Sequence, residues 1–147
     1  MKFSHALILA SSLAFFACGG DDDDDSPAGP SKNSYDCSVS EATGVKVVYP
    51  AGGETFKVGE TIDVIFGVAV EDNGYRIIFK KNAGDQGIDL LDEPYDLNGS
   101  ADGKTCYTAK VKLDAESVEA TMTGAIRVAP YNKQNKGNNS GLFIVKE

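Results

Sequence analysis

The sequence predicts an all-β domain at residues 44–147, an antiparallel two-sheet sandwich of the immunoglobulin (Ig) or fibronectin type III kind with about seven strands. Two observations predict it. Apolar residues alternate with polar residues in short runs, which is the pattern of half-buried strands. Turn-forming sequences separate these runs, and no stretch has the apolar period of a helix of ordinary length. A small β-barrel is the alternative architecture.

The predicted strands follow one another to the end of the chain. The longest alternation runs through residues 62–70, with Asp63 and Gly67 on the opposite face. A weak strand is expected at 88–91, and residues 114–118 favour one helical turn. Turns are predicted at 51–53, 72–74, 98–100 and 102–103. The sets expected to face the core are Val45, Val47 and Tyr49; Ile62, Val64, Phe66, Val68 and Val70; Tyr75, Ile77 and Phe79; Tyr107, Ala109, Val111 and Leu113; Ile126 and Val128; and Phe143 and Val145.

Residues 1–17 have the layout of a secretory signal peptide. Lys2 precedes an apolar run at residues 6–17, which is shorter than the roughly 20 residues that cross a bilayer as a helix. Residues 15–18, Phe-Phe-Ala-Cys, resemble the lipobox of bacterial lipoproteins, although phenylalanines stand where leucine and a small residue are usual. The resemblance implies that Cys18 becomes the lipid-modified N-terminus and that the protein is held on the bacterial outer membrane.

Residues 18–43 are predicted to form a disordered tether. Five consecutive aspartates at residues 21–25 repel one another, and the stretch has too few apolar residues to form a core. The aspartates are either a solvated spacer or, by resemblance to surface-export signals of some Gram-negative lipoproteins, a signal that directs the domain to the cell surface. The whole chain carries a net charge of −8. From residue 44 onward, 12 basic and 15 acidic residues give only −3, so most of the acidity lies in the tether.

The three cysteines divide into one anchor and one pair. With Cys18 lipidated, Cys37 and Cys106 remain as a disulfide pair in an oxidising compartment. Cys106 shares its alternation with Thr108 and Lys110, so it is expected to face away from the core. Cys37 should then reach it from outside and lay the segment before the first strand against a sheet.

Two blocks of sequence resemble a known extracellular module. Residues 47–66, Val-Val-Tyr-Pro-Ala-Gly-Gly-Glu-Thr-Phe-Lys-Val-Gly-Glu-Thr-Ile-Asp-Val-Ile-Phe, are similar to the start of the Ig-like domain of the Ser/Thr-rich GPI-anchored family, which is named with yeast cell-wall glucan-assembly proteins. Phe66 stands where tryptophan is common in that pattern. Residues 126–145 resemble the closing strands of the family. The resemblance implies a cell-surface sandwich and transfers no catalytic residues. Independently, Gly52, Gly53 and Gly59 suit turns with positive φ, and Phe56 is expected to close one end of the core.

Composition argues against several functions. An acidic chain without a basic stripe is a poor nucleic-acid binder. His5, the only histidine, lies in the signal peptide, so histidine-dependent catalysis is not expected, and neither a cofactor nor a metal site is predicted. The acids Asp89, Asp92, Glu93 and Asp96 indicate a solvated loop or, alternatively, a small carbohydrate-active enzyme. Whether the loop from Asp85 to Asp102 binds calcium stays open at this point, since its spacing is not that of an EF-hand.

The preferred hypothesis is a non-catalytic binding or structural module on a surface lipoprotein. Its partners would be the membrane, through the lipid, and a polysaccharide or an envelope protein. Sugar sites on sandwiches use exposed aromatic rings, and Tyr95 and Tyr131 lie in polar loops beside Asn132 and Gln134. These four residues are the candidate ligand-binding residues. Either tyrosine could instead be a partly buried anchor.

Overall fold

Nine β-strands form two sheets within residues 30–147, the part of the chain that the computed structural model describes. The all-β, two-sheet sandwich is confirmed. Two of its strands, β2 and β8, were not predicted, because they are too short to show an alternation of apolar and polar residues. The strands are β1 (Val45–Tyr49), β2 (Thr55–Lys57), β3 (Thr61–Val68), β4 (Tyr75–Lys80), β5 (Ile88–Asp89), β6 (Tyr107–Lys112), β7 (Thr121–Pro130), β8 (Asn138–Asn139) and β9 (Phe143–Lys146), with short 3-10 helices at Lys32–Ser34 and Gln134–Lys136.

The two sheets divide the strands unequally. Sheet 1 has the order β1-β3-β6, and sheet 2 has the order β2-β9-β7-β4-β5, with β8 also paired to β7. Every pair is antiparallel except β2 with β9, which is parallel and corrects the expectation of a purely antiparallel sandwich. β8 and β9 lie in sequence along the same edge of β7. Ser140 interrupts them, since its hydroxyl accepts the Ile126 N–H at 2.9 Å in place of a backbone carbonyl.

The core lies between the inner faces of the two sheets and follows the predicted alternation. Phe66 is fully buried at its centre, 5.5 Å from the ring of Tyr95 and 6.2 Å from that of Tyr107. Phe56 packs edge-on against Phe143 at 5.2 Å and closes one end, as expected. Val47 and Tyr49 are only half-buried, because the register of β1 shifts between them. Val70 lies beyond the end of β3, where its carbonyl accepts a hydrogen bond from the Tyr75 hydroxyl at 2.5 Å.

The structure corrects the predicted start of one strand and confirms the predicted helical turn. β7 begins at Thr121, well before the predicted Ile126, because Thr121 is half-buried, the next two residues are exposed and residue 124 is glycine, so this part of the strand shows no apolar alternation. The helical turn at 114–118 forms one hydrogen-bonded turn, with the Val118 N–H donating to the Asp114 carbonyl at 2.7 Å. Val118 is buried in the core, which explains why the turn is held there.

The long connection from β5 to β6 covers the open side of the sandwich. Sheet 1 ends at β6, so the core beside that strand needs another cover. Leu90, Leu91, Tyr95, Leu97 and Ala101 supply it, since all five are partly buried against the core. In this way a segment with little secondary structure closes the side where a further strand would otherwise lie.

Within the described residues no helix combines the length and the apolarity needed to cross a bilayer. The predicted signal peptide, Cys18 and the aspartate run at 21–25 lie outside the described residues. The predictions made for them stay predictions.

Candidate ligand-binding face

The leading segment at residues 35–43 lies on the outer face of sheet 1 and is held there by the predicted disulfide. Cys37 and Cys106 are bonded, with their Cα atoms 5.3 Å apart. Cys37 is 1% exposed, and the Val39 N–H donates to the Gly103 carbonyl at 2.9 Å. The prediction that Cys37 reaches Cys106 from outside the core is confirmed, and the packed chain starts before the expected boundary at residue 44.

The outer face of sheet 2 is on the opposite side of the sandwich and carries most of the candidate residues. Arg76, Ile78 and Lys80 of β4 point to this face, opposite Ala129, Arg127 and Ala125 of β7. Their alternation with the core residues Ile77 and Phe79 places them there. We call this surface, together with the loop 131–137 beside it, the ligand face.

An Arg76–Asp89 pair organises one side of the ligand face. The Arg76 guanidinium donates from Nε to Oδ1 of Asp89 at 2.9 Å and from Nη2 to Oδ2 at 2.8 Å. Its Nη1 donates to Oε1 of Gln134 at 2.8 Å. These bonds to Asp89, opposed by partial burial, raise the pKa of Arg76, so the guanidinium stays charged. Both oxygens of Asp89 are engaged in parallel, so the pair has the bidentate geometry that fixes the relative orientation of its two planar groups.

Tyr131 stands beside this pair at the rim of a cleft. Its side chain is 51% exposed, while its backbone N–H donates to the Gly74 carbonyl at 3.0 Å. The cleft has a volume of about 260 Å³, and its other walls are Arg76, Ile77, Asp89, Leu91, Asp92, Glu93 and Pro94. A half-exposed ring, next to an ion pair and a leucine, is an arrangement on which a sugar ring can stack.

Tyr95 does not lie in this cleft, and its expected role as an exposed aromatic platform is wrong. Its ring packs against Phe66, and its hydroxyl donates to the Thr108 carbonyl at 3.1 Å. Its backbone is bridged to Tyr75 by two hydrogen bonds of 2.7 and 2.9 Å. Burial raises the pKa of Tyr95, with smaller contributions from Tyr107 and Asp96. Tyr95 is the partly buried anchor that the alternative reading allowed.

Asn132 and Gln134 have different positions. The backbone N–H and the side-chain amide of Asn132 both donate to Asp72, at 2.9 and 2.8 Å, so this residue holds the loop in place. Gln134 bonds Arg76 through Oε1 and the Tyr131 carbonyl through Nε2 at 3.4 Å. The structure therefore brings Tyr131 and Gln134 together at the ligand face and assigns Asn132 a structural contact.

Arg127 is a member of this face that sequence reasoning missed. Its guanidinium donates to Oδ1 of Asn139 at 3.0 Å and to the Gln134 carbonyl at 3.1 Å. Within residues 30–147 no carboxylate forms a salt bridge with it. Its outward direction could have been predicted from the sequence, since Arg127 lies between two core residues, Ile126 and Val128.

The acidic residues named in the sequence analysis make separate local contacts and do not form one site. Asp96 accepts the Asn98 N–H at 3.0 Å, and Asp85 accepts the Lys81 N–H at 3.1 Å. Asp92 and Glu93 line the cleft beside Tyr131. Hydrogen bonds from the Thr105 side chain and from the backbone of Thr105 and Lys104 lower the pKa of Asp102 to about 2. In the described chain no three potential metal-ligating side chains are grouped closely enough to hold an ion.

Comparison of the chain with models of known protein families, with curated proteins and with solved structures finds no match in any of the three sets.

Proposed function

We propose that this chain is a lipid-anchored bacterial surface protein whose Ig-like domain is a non-catalytic binding module for an envelope or extracellular polysaccharide. One relationship carries the proposal. The disulfide fixes Cys37 on the outer face of sheet 1, and Arg76, Tyr131 and Gln134 lie at the outer face of sheet 2. The end of the leading segment meets the edge of the ligand face, where the Lys136 ammonium donates to the Ala42 carbonyl at 2.9 Å. A tether that precedes Cys37 enters the domain on the side away from the Tyr131 cleft, so its point of entry does not obstruct that cleft.

The order of the strands supports the Ig-like assignment. In an Ig sandwich one sheet contains strands A, B and E in that order, and the other contains C, F and G. The order β1-β3-β6 corresponds to the first set, and β4-β7-β9 corresponds to the second. This correspondence supports an Ig-like sandwich, which the resemblance to the Ser/Thr-rich GPI-anchored family requires.

The disulfide also supports export and lipidation. Disulfides persist in oxidising compartments and are rare in the cytosol. Because the bond uses Cys37 and Cys106, Cys18 is the one cysteine of the sequence left for a lipid. Attachment of two or more acyl chains there would anchor the protein durably to the outer membrane, and the aspartate run is proposed to direct it to the cell surface.

A carbohydrate-active enzyme is the alternative, and it rests on Asp92 and Glu93. These carboxylates line the same cleft as Tyr131. Asp89 is a poor candidate for a proton donor or nucleophile, since both of its oxygens accept hydrogen bonds from Arg76. The binding hypothesis is preferred because Tyr131 and Arg76 line the cleft and Gln134, beside it, hydrogen-bonds both residues.

The test uses the full-length protein produced in a Gram-negative host. Incorporation of labelled fatty acid that is lost in Cys18→Ser would support the anchor, and digestion by external protease would support surface exposure. Binding to a glycan array, weakened about tenfold by Tyr131→Ala, would support the module. Leu142→Ala is the matched control, because Leu142 is a 48% exposed apolar residue in the loop before β9. Glycan hydrolysis that is abolished by Asp92→Asn would overturn the non-catalytic assignment.

A further inference from the structure

A cationic groove continues the Tyr131 cleft across the ligand face. Its volume is about 570 Å³, and it is lined by Arg76, Ile78, Lys80, Asp85, Gln86, Gly87, Arg127, Gln134 and Asn135. Arg76 lines both the groove and the cleft, so the two form one continuous surface. Gln134 joins them too, because it contacts Arg76, Arg127 and the Tyr131 carbonyl.

The charge of this groove is opposite to that of the domain. Its three cations, Arg76, Lys80 and Arg127, face the carboxylate of Asp85 and that of Asp89, which is paired with Arg76. Within the groove the local charge is therefore +1, whereas residues 44–147 carry −3. The carboxylates of Asp92 and Glu93 line the Tyr131 cleft and not the groove, so the excess of positive charge is confined to the groove end of the surface. Lys80 donates to the Ala83 carbonyl at 3.0 Å and, like Arg127, forms no salt bridge within the described residues.

Arg127 is held in position without being neutralised. Its two hydrogen bonds go to a side-chain amide and a backbone carbonyl, which orient the guanidinium and leave its full charge. A planar guanidinium has five donors in a fixed fork that matches carboxylate or sulfate oxygens. Preorientation of this kind reduces the ordering entropy that a ligand must otherwise overcome.

We propose that the groove binds the anionic groups of an acidic polysaccharide, with Arg127 and Lys80 holding a carboxylate or sulfate while the Tyr131 ring stacks on a neighbouring sugar. The inference rests on the proposed binding function and adds the class of its ligand. An acidic polysaccharide is favoured over an acidic peptide because a flat ring for a sugar and fixed cations for its acid group share one surface, with the amides of Gln86, Gln134 and Asn135 available to hydroxyl groups.

The experiment measures binding of the detergent-solubilised full chain to four polymers: polygalacturonate, dextran sulfate, neutral dextran and polyglutamate. Binding to polygalacturonate or dextran sulfate, without binding to dextran, is expected, and the comparison of the two tells carboxylate from sulfate. Salt at about 1 M, where the Debye length is about 3 Å, should strongly weaken binding to the acidic polymers. Arg127→Gln should weaken binding about tenfold.

Two further variants make the test independent of folding. Lys80→Gln removes a groove charge should Arg127→Gln fail to fold. Lys112→Gln removes the same charge from β6 of sheet 1, where Lys112 is exposed, and should leave binding unchanged. The groove assignment would be overturned if Lys112→Gln and Lys80→Gln weakened binding equally. It would also be overturned if polyglutamate bound as tightly as the acidic polysaccharides. Dextran bound as tightly as the acidic polymers would overturn the ligand class while leaving the proposed binding function intact. An absence of binding to any glycan would overturn both.

Discussion

Gly67 lies directly beneath Cys37, so closely that a β-carbon at position 67 would overlap the Cys37 backbone carbonyl. Gly67 is on the outward-facing side of β3, between the buried core residues Phe66 and Val68. A glycine at this point of the strand removes the side chain that would keep the leading segment away. The close approach and the disulfide therefore act together to hold residues 35–43 on sheet 1.

Gly67→Ala should lower the free energy of unfolding by about 1–3 kcal/mol, since the added methyl group must displace backbone and not a flexible side chain. Denaturant unfolding of the oxidised protein measures this change, and mass spectrometry after thiol alkylation shows whether the disulfide still forms. Gly84→Ala is the control, because the nearest atom to a β-carbon there is 3.6 Å away. Unchanged stability in Gly67→Ala would contradict the described packing.

Removal of the disulfide by Cys37→Ala with Cys106→Ala should destabilise the domain by about 4 kcal/mol. The bond closes a loop with a sequence separation of 69, and the chain-entropy model gives a loss of this size for such a loop. Urea unfolding of the variant, compared with the native protein with and without reductant, measures it. If the urea midpoint of the native protein were the same with and without reductant, the loop closure would contribute nothing to stability.

Tyr75 makes the stability of the domain decrease at alkaline pH. Burial and the carboxylates of Glu71 and Asp72 raise its pKa to about 12, from an unfolded value of about 10. The folded state holds the phenolic proton more tightly, so this contribution is complete below about pH 10 and is lost as the pH rises through about 12. Thermal unfolding across this range should show a smaller decline in Tyr75→Phe than in the native protein.

The same variant should lose about 1 kcal/mol at neutral pH, because it lacks the hydrogen bond from the Tyr75 hydroxyl to the Val70 carbonyl. Burial also raises the pKa of Tyr49, Tyr95 and Tyr107, so part of the alkaline decline should persist. Tyr131→Phe, at a half-exposed position, is the control for a lost hydroxyl. An alkaline decline of equal slope in Tyr75→Phe and the native protein would be the contrary result.

Asp102 should titrate near pH 2 in the folded protein. The Thr105 hydroxyl donates to Oδ2 at 2.6 Å, and the N–H groups of Thr105 and Lys104 each donate to Oδ1 at 2.8 Å. These bonds favour the carboxylate, so their stabilising effect is present above the unfolded pKa of about 3.9 and is lost as the pH falls through about 2. The carboxyl ¹³C shift of Asp102 measured by NMR reports this titration.

Thr105→Val should move the Asp102 pKa upward, since the Thr105 hydroxyl makes the largest contribution to its depression. Thr61→Val, at an exposed position at the start of β3, is the matched control and should leave the pKa of Asp102 unchanged. An unaltered Asp102 titration in Thr105→Val would mean that the backbone donors alone suffice.

The inward sets of β3, β4 and β6 could be predicted because alternation is a local property of an extended backbone. Ile62, Val64 and Phe66 are buried for the same reason that Lys110 and Lys112 are exposed, namely that successive side chains point to opposite faces. The outward direction of Cys106 followed from the same rule. The disulfide with Cys37 then followed from the number of cysteines and the expected lipid on Cys18.

The candidate site was less accessible to the same reasoning. Tyr95 and Tyr131 both lie in polar loops, yet the chain folds one ring onto Phe66 and leaves the other half exposed. The outward position of Arg127 could be read from its neighbours. Its placement with Arg76 and Gln134 could not, because those contacts join residues far apart in the chain.

The sequence by itself determined that this protein is all-β and which residues of most strands face the core, and together with the predicted lipid on Cys18 it predicted which two cysteines bond. These features depend on the period of the strand and on residue type. The tertiary structure decided the parallel β2–β9 pair, the burial of Tyr95, and the placement of Cys37 and the cationic groove on opposite faces. Those features depend on which distant segments pack together, and the free energy of that packing belongs to the whole fold and not to any short stretch of sequence.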